Sequence, residues 1–257
     1  MASAPQQPQL PLFFNDLMPL NSQDHAKYRT RSIDSATWLS DAHAIPLTVD
    51  EFVQAQRSFP IVFSSGDNPL PLALMGLNEG VNTFVDDKGK VTEPVYLPAY
   101  VRRYPFMLAR LQQDSTELSL MFDPTSDAVG EFDEGELLFD DAGQPSEATK
   151  RILEFCEHFE QAAQRTQSFL EELKSNDLLM DGEVAIQQEG REQPFVYRGF
   201  KMVDQEKLRD VSTEKLAEWH KNGLLVLINA HIFSLDLMRN IFARQAQQGK
   251  GPQPAAN

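Results

Sequence analysis

Between Ser146 and Leu173 apolar and small side chains return at spacings of three and four: Ile152, Phe155, Cys156, Phe159, Ala162, Ala163, Thr166, Phe169, Leu170 and Leu173. That is the period of one helix face, and it predicts a long amphipathic helix whose stripe is covered by other elements. Leu224 to Ala246 is a second helical pattern, with Leu224, Leu225, Leu227, Ile228, Ile232, Leu235, Met238, Ile241 and Phe242 around much of its circumference. Apolar residues on so many sides predict deep burial of its first half. Thr213–Lys221 reads as a helix, and so does Gln205–Leu208, with its cap in Met202-Val203-Asp204.

The first half of the chain has shorter patterns. Thr48 or Asp50 caps a short helix carrying Phe52, Val53 and Ala55, which feeds the strand Pro60–Phe63. Residues 72–85 read as strand, glycine-containing turn and strand, and Asp86-Asp87-Lys88-Gly89 turns the chain into Val91–Leu97, making a meander. The strand signal stops at Tyr100-Val-Arg-Arg-Tyr-Pro-Phe106. Leu118–Phe122 and Glu136–Phe139 are further strands, and Val184–Gln187 with Phe195–Phe200 forms a small pair. Strands early and helices late predict an α+β fold, mainly antiparallel sheet in the N-terminal half packed against a helical C-terminal part. The turns Val85-Asp-Asp-Lys-Gly89 and Phe139-Asp-Asp-Ala-Gly143 resemble each other. So few matched positions do not make a duplicated domain, and they read as two independent strand-ending turns.

Composition sets the frame. The chain has 257 residues, 41% hydrophobic and 24% charged, which is enough for one large folded domain. Pro, Gln, Ala and Gly dominate both ends, so 1–15 and 245–257 are expected as disordered tails around a single domain at 16–244. A net charge of −15 repels nucleic acid and anionic lipid, so no nucleic-acid partner is expected. Cys156 is the single cysteine, on the apolar side of its helix, and reads as a buried structural thiol. The N-terminus has no basic segment followed by an apolar run of about 7 to 15 residues, as a secretory signal would need. The longest uncharged apolar run, Gly223 to Leu235, includes Asn229 and His231 and is too short to span a membrane. A cytoplasmic location follows as the expectation, with signal-less export to the cell surface as the alternative.

Chemical motifs are sparse. His25, His43, His158, His220 and His231 occur in no HxH, HxD, HxxE or HExxH spacing, and no metal site is expected. The acidic loop from Asp123 places Ala128 where a calcium-binding EF-hand loop needs glycine. GxSxG, GxGxxG and GxxxxGK[ST] are absent, so neither a catalytic constellation nor a nucleotide cofactor is indicated. His231 and Ser234, three residues apart, share a helix face and read either as a core pair or as contacts to a ligand. Arg102 and Arg103 between Tyr100 and Tyr104, closed by Pro105, stand out most. Guanidinium offers planar bidentate donors to an anion, and aromatic rings stack on it. Tyr100, Arg102, Arg103, Tyr104, His231 and Ser234 are therefore the candidate ligand-binding residues.

Several of these stretches resemble the SapC family: Glu51-Phe52 through Phe59-Pro-Ile-Val-Phe63, Phe84-Val-Asp86, Pro98-Ala-Tyr-Val-Arg-Arg-Tyr-Pro-Phe106, Gly135-Glu-Leu-Leu-Phe139-Asp with Gly143, and Ala230-His-Ile-Phe-Ser234-Leu. The family is named for a surface-array protein of bacterial S-layers. A membrane permease of antimicrobial-peptide transport shares the name, but this chain lacks the spans that a permease needs. The resemblance implies a protein partner: a surface-layer protein, a TonB-dependent outer-membrane receptor, or a neighbouring flavin-dependent halogenase-like or cupin-like protein. Three functions are compatible with it. One is a soluble accessory or binding protein that recognises an anionic ligand or peptide. The others are an enzyme or enzyme subunit acting beside such neighbours, and a structural S-layer component. The first is the expectation, because no catalytic motif supports the second and the third needs export.

Overall fold

The computed structural model describes residues 10–33, 35–111, 117–188, 190 and 192–251. The chain divides into two compact units, each made from separated stretches: Met1–Asp34 with Arg103–Glu160, and Ser35–Arg102 with Gln161–Asn257. The span 16–244, read from the sequence as one domain, contains both. Antiparallel sheets dominate the N-terminal half and helices the C-terminal half, so the fold is α+β.

In the first unit Met18–Pro19, Ser119–Phe122 and Phe106–Ala109 form an antiparallel sheet in that order, with Phe106 opposite Phe122 and Ala109 opposite Ser119. Alternation along Phe106–Ala109 turns Phe106 and Leu108 inward. They join Leu120, Phe122, Val129, Leu138, Phe139 and Cys156 in one core. A second small sheet sets Arg29–Thr30 between Val129–Gly130 and Glu136–Leu137.

The second unit is built on a five-stranded antiparallel sheet: Leu179–Asp181, Phe200–Val203, Ile61–Ser64, Pro71–Leu74 and Ala44–Pro46. Ile61, Val62 and Phe63 in its central strand are all buried, so both faces of that strand are covered. Helix Leu224–Ser234 packs on the strands Ile61–Ser64 and Phe200–Val203. The long helix Glu147–Ser175 gives its second half to this unit, where Phe169, Leu170 and Leu173 are buried and Phe169 meets Phe52 edge-on at 5.7 Å. Trp219, in helix Thr213–Lys221, is fully buried and donates from Nε1 to Glu172 at 3.0 Å.

Four local expectations are revised. Strands at 81–85 and 91–97 reduce to one bridge between Val85 and Val91. The backbone and side chains there bond elsewhere: the Asn82 amide donates to Leu39 and Ala42 carbonyls, and Thr83 N–H and hydroxyl both go to Met75 O. Phe106–Ala109 is a strand just where the strand signal had stopped. The expected helix 224–246 is two helices, Leu224–Ser234 and Leu237–Gln247, because Ser234 Oγ bonds back to the His231 carbonyl at 2.7 Å and loosens the turn there. Taken together Leu224–Gln247 is long and apolar enough, by length and composition, to cross a membrane; only a third of that stretch's most apolar window is buried. Finally, residues 1–9 and 252–257 of the expected tails lie outside the described residues, while the inner parts are built into the fold. Phe14 is buried edge-on to Tyr104 at 5.2 Å, and the Gln245 amide is fully buried between Leu77 N–H and Asn78.

The two Asp-Asp turns have the same hydrogen-bond pattern. Asp86 Oδ1 accepts from Lys88 and Lys90 N–H, and Asp140 Oδ1 accepts from Ala142 and Gln144 N–H, all within 2.8–2.9 Å. Thr92 N–H returns to Phe84 O, and Ser146 N–H to Leu138 O. Gly89 and Gly143 both take positive φ, 78° and 72°, which a side chain disfavours. At Gly89 a Cβ would also come within 2.3 Å of the Thr37 nitrogen.

Candidate functional site

The arginine-rich segment begins at a buried carboxylate. Glu51 ends a short 3₁₀ turn, Val49–Glu51, and is only 5% exposed. Its Oε2 accepts from the Thr48 N–H at 2.8 Å and hydroxyl at 2.9 Å, while Oε1 accepts from Tyr96 Oη at 3.0 Å and Ala99 N–H at 2.6 Å. Four donors, two of them backbone N–H groups, stabilise the charge in place of water. One, the Ala99 N–H, opens the helical turn Ala99–Arg102, where a negative charge suits the turn's dipole.

Arg102 closes that turn and is exposed. Its Nε donates to Leu97 O at 3.0 Å and its Nη2 to Tyr96 Oη at 3.3 Å, with the guanidinium 5.7 Å from the Tyr96 ring centre. Burial, followed by the Glu51 charge, pushes the Tyr96 phenol up to about 12, so it stays protonated and donates its hydrogen bond to Glu51 while accepting one from Arg102. The result is a relay from Glu51 through Tyr96 that fixes one guanidinium at the surface.

Arg103 has different surroundings. It belongs to the other unit, is 7% exposed, lies 4.3 Å over the Phe159 ring and stands 3.9 Å from Glu160. Burial pushes the Glu160 carboxyl up against the opposing pull of Arg103, and burial likewise pushes the Cys156 thiol up to about 11. Tyr104 donates to the fully buried Asp123 at 3.3 Å and its phenol is pushed up to about 12, by burial first and the Asp123 charge second. Asp123 also accepts from Asn15 N–H at 2.8 Å and from Thr125 N–H and hydroxyl at 2.8 and 2.6 Å. Tyr100 is buried as well. The expected fork of paired arginines therefore has one exposed arm, Arg102.

His231 and Ser234 are fully buried and bound to backbone. Strands Phe200–Val203 and Ile61–Ser64 pair Phe200 with Ser64 and Lys201 with Phe63; the same register continued would bring Val203 opposite Ile61. The imidazole bridges these two instead: Nε2 accepts from Val203 N–H at 3.0 Å, and Nδ1–H donates to Ile61 O at 2.8 Å. Ser234 Oγ accepts the Ile61 N–H at 2.8 Å. Burial lowers the imidazole to about 4, which matches a neutral ring that must accept at one nitrogen. These atoms seat the helix on the sheet and leave no polar group of the pair facing solvent.

Sequence patterns missed Glu51, Tyr96 and Asp123 as organising groups, because their partners are brought together by the fold; the spacing Thr48-x-x-Glu51 is the one local signal, that of a capping box. Also missed was a cavity of about 580 Å³ lined by Val49, Val53, Phe169, Leu227 and the Asp50–Arg165 ion pair, whose partners are over a hundred positions apart. Among the described residues no three His, Cys, Asp or Glu side chains gather as a metal ion would need.

The SapC family model matches residues 20–241, most of the chain. The chain belongs to the SapC family. No curated protein and no solved structure matches it in the corresponding comparisons. Glu51, Tyr96, Arg102, Asp123 and His231 of this SapC chain all fall inside the matched span.

Proposed function

We propose that this SapC chain is a soluble accessory or binding protein of a bacterial surface-layer or TonB-dependent uptake system, recognising an anionic ligand or peptide partner through Arg102. Arg102 carries the reading: an exposed guanidinium held by the Leu97 carbonyl and by a tyrosine that a buried carboxylate orients. Pre-organisation of that kind lowers the side-chain entropy lost on capturing a carboxylate or phosphate.

The test is to tag the chain at its native locus, fractionate the cells and identify by mass spectrometry what co-purifies, with Arg102→Ala run in parallel. The reading expects recovery with a receptor or surface-layer protein, lost in Arg102→Ala while the melting temperature of the purified variant stays within a degree or two, as a surface substitution should. Equal recovery by the variant removes Arg102 from the interface. Recovery with a halogenase-like or cupin-like enzyme instead moves the function to an enzyme subunit.

A further inference from the structure

The cavity of about 580 Å³ in the second unit lies where three stretches meet: the turn and short helix at 49–53, one face of the long helix at 165–172, and the start of helix Leu224–Ser234. Gly223, with φ 84°, turns the chain out of helix Thr213–Lys221 at that point. Val49 and Phe169 are buried in the wall, Leu224 and Leu227 are half-buried, and Val53 is 39% exposed. Such a wall favours an apolar body, and the volume suits a small molecule. Each charged side chain lining it already has its counter-ion. Arg165 gives Asp50 two bonds, Nε to Oδ1 at 3.1 Å and Nη2 to Oδ2 at 2.5 Å. Lys215 Nζ stands 2.6 Å from Glu172 Oε1. An ionic ligand therefore meets no uncompensated charge, yet loses its hydration against the apolar wall. The Leu224 N–H, a donor that an anion at this helix start would use, is taken by Asn222 Oδ1 at 3.0 Å. What the wall retains is hydrogen-bonding capacity without net charge. Lys215, Trp219 Nε1 and the Asn176 amide all reach Glu172 at Oε1, and the first two hold the carboxyl below the usual carboxylate range, so Oε2 has lone pairs for a ligand donor. Ser168 Oγ, whose proton goes to Gln164 O at 3.2 Å, accepts as well.

We propose that this cavity binds an uncharged, mainly apolar small molecule that carries a hydroxyl: an aliphatic or aromatic alcohol, its hydroxyl donating to Glu172 Oε2 and its body against Val53, Phe169 and Leu227. None of the groups that fix Arg102 lines the cavity, so the accessory role proposed for Arg102 and this site stand or fall separately.

Three probes with one tail and different heads decide it: octanol, octanoate and octylammonium, titrated into the full chain by isothermal calorimetry. Tryptophan fluorescence of the unmodified chain should respond in parallel, because Trp219 Nε1 bonds the carboxylate that lines the cavity. Octanol should bind, and each charged probe about tenfold or more weakly. Val53→Trp, which fills the mouth, should weaken octanol about tenfold or more with the circular dichroism spectrum unchanged. Two exposed variants unbalance the ion pair and keep the idea testable if Val53→Trp fails to fold. Arg165→Gln leaves Asp50 without its counter-ion, so octylammonium should gain on octanol by about two- to fivefold, and Asp50→Asn frees Arg165, so octanoate should gain by a similar factor. Absence of octanol binding up to its solubility, an ionic probe binding more tightly than octanol to the unmodified chain, octanol binding unchanged in folded Val53→Trp, or head-group preference unmoved in both ion-pair variants would each overturn the proposal.

Discussion

The two compact units have the same turn and different polar centres. Residues 84–92 in one and 138–146 in the other reproduce each other's hydrogen bonds down to the aspartate that accepts from the second and fourth following N–H groups. The polar groups that brace the two units differ. The second unit is braced by a neutral imidazole and a serine that bind strand backbone, the first by a buried aspartate that gathers Asn15, Tyr104 and Thr125. Local chemistry repeats where one Asp and one Gly suffice; a brace depends on which distant backbone groups are left without a partner, and that differs with every sheet.

Removing the braces gives the largest expected effects. His231→Ala leaves Val203 N–H and Ile61 O unsatisfied beside a new cavity and should cost about 4 kcal/mol, while Ser234→Ala should cost about 1–2 kcal/mol. Trp38 and Trp219 both lie in the second unit, so their fluorescence in a urea titration reports that unit. Asp123→Ala should cost the first unit about 2–4 kcal/mol, read by the amide exchange of Leu120 and Phe122. If it moves the tryptophan transition by the same amount, the units unfold as one and the comparison breaks.

The imidazole brace also carries a pH signature. Its folded value, about 4, lies below the ordinary 6.5, so below about pH 6.5 the unfolded chain binds a proton that the folded one refuses. The stability of the second unit is therefore full above about pH 6.5 and falls as the pH drops toward 4, by roughly 3 kcal/mol in all. His231→Gln should flatten that slope while the first unit's pH dependence stays as it was. Smallest of all, Asp86→Ala and Asp140→Ala should each lower the melting temperature slightly and by similar amounts, if the turns are equivalent. A much larger loss at Asp86 would mark the contact of its turn with Ala36 as part of the second unit's core.

The sequence by itself determined what depends on neighbours along the chain. The long helix from Glu147, the cap at Asp204, the helix Thr213–Lys221 and the two glycine turns were legible because periodicity, a capping oxygen and positive φ act within a few residues. The α+β class followed from where strand and helix signals lay. Only the tertiary structure decided which polar groups face solvent. Arg102 and Arg103 are equivalent in a sequence, but one ends a turn over Tyr96 and the other lies buried on Phe159. His231 and Ser234 read as a possible ligand pair, and the sheet beneath them turned both into backbone partners. The strands at 81–97 were lost and Phe106–Ala109 gained for the same reason: an extended segment becomes a strand only when another backbone presents its free groups alongside, and that partner lies far away in the chain.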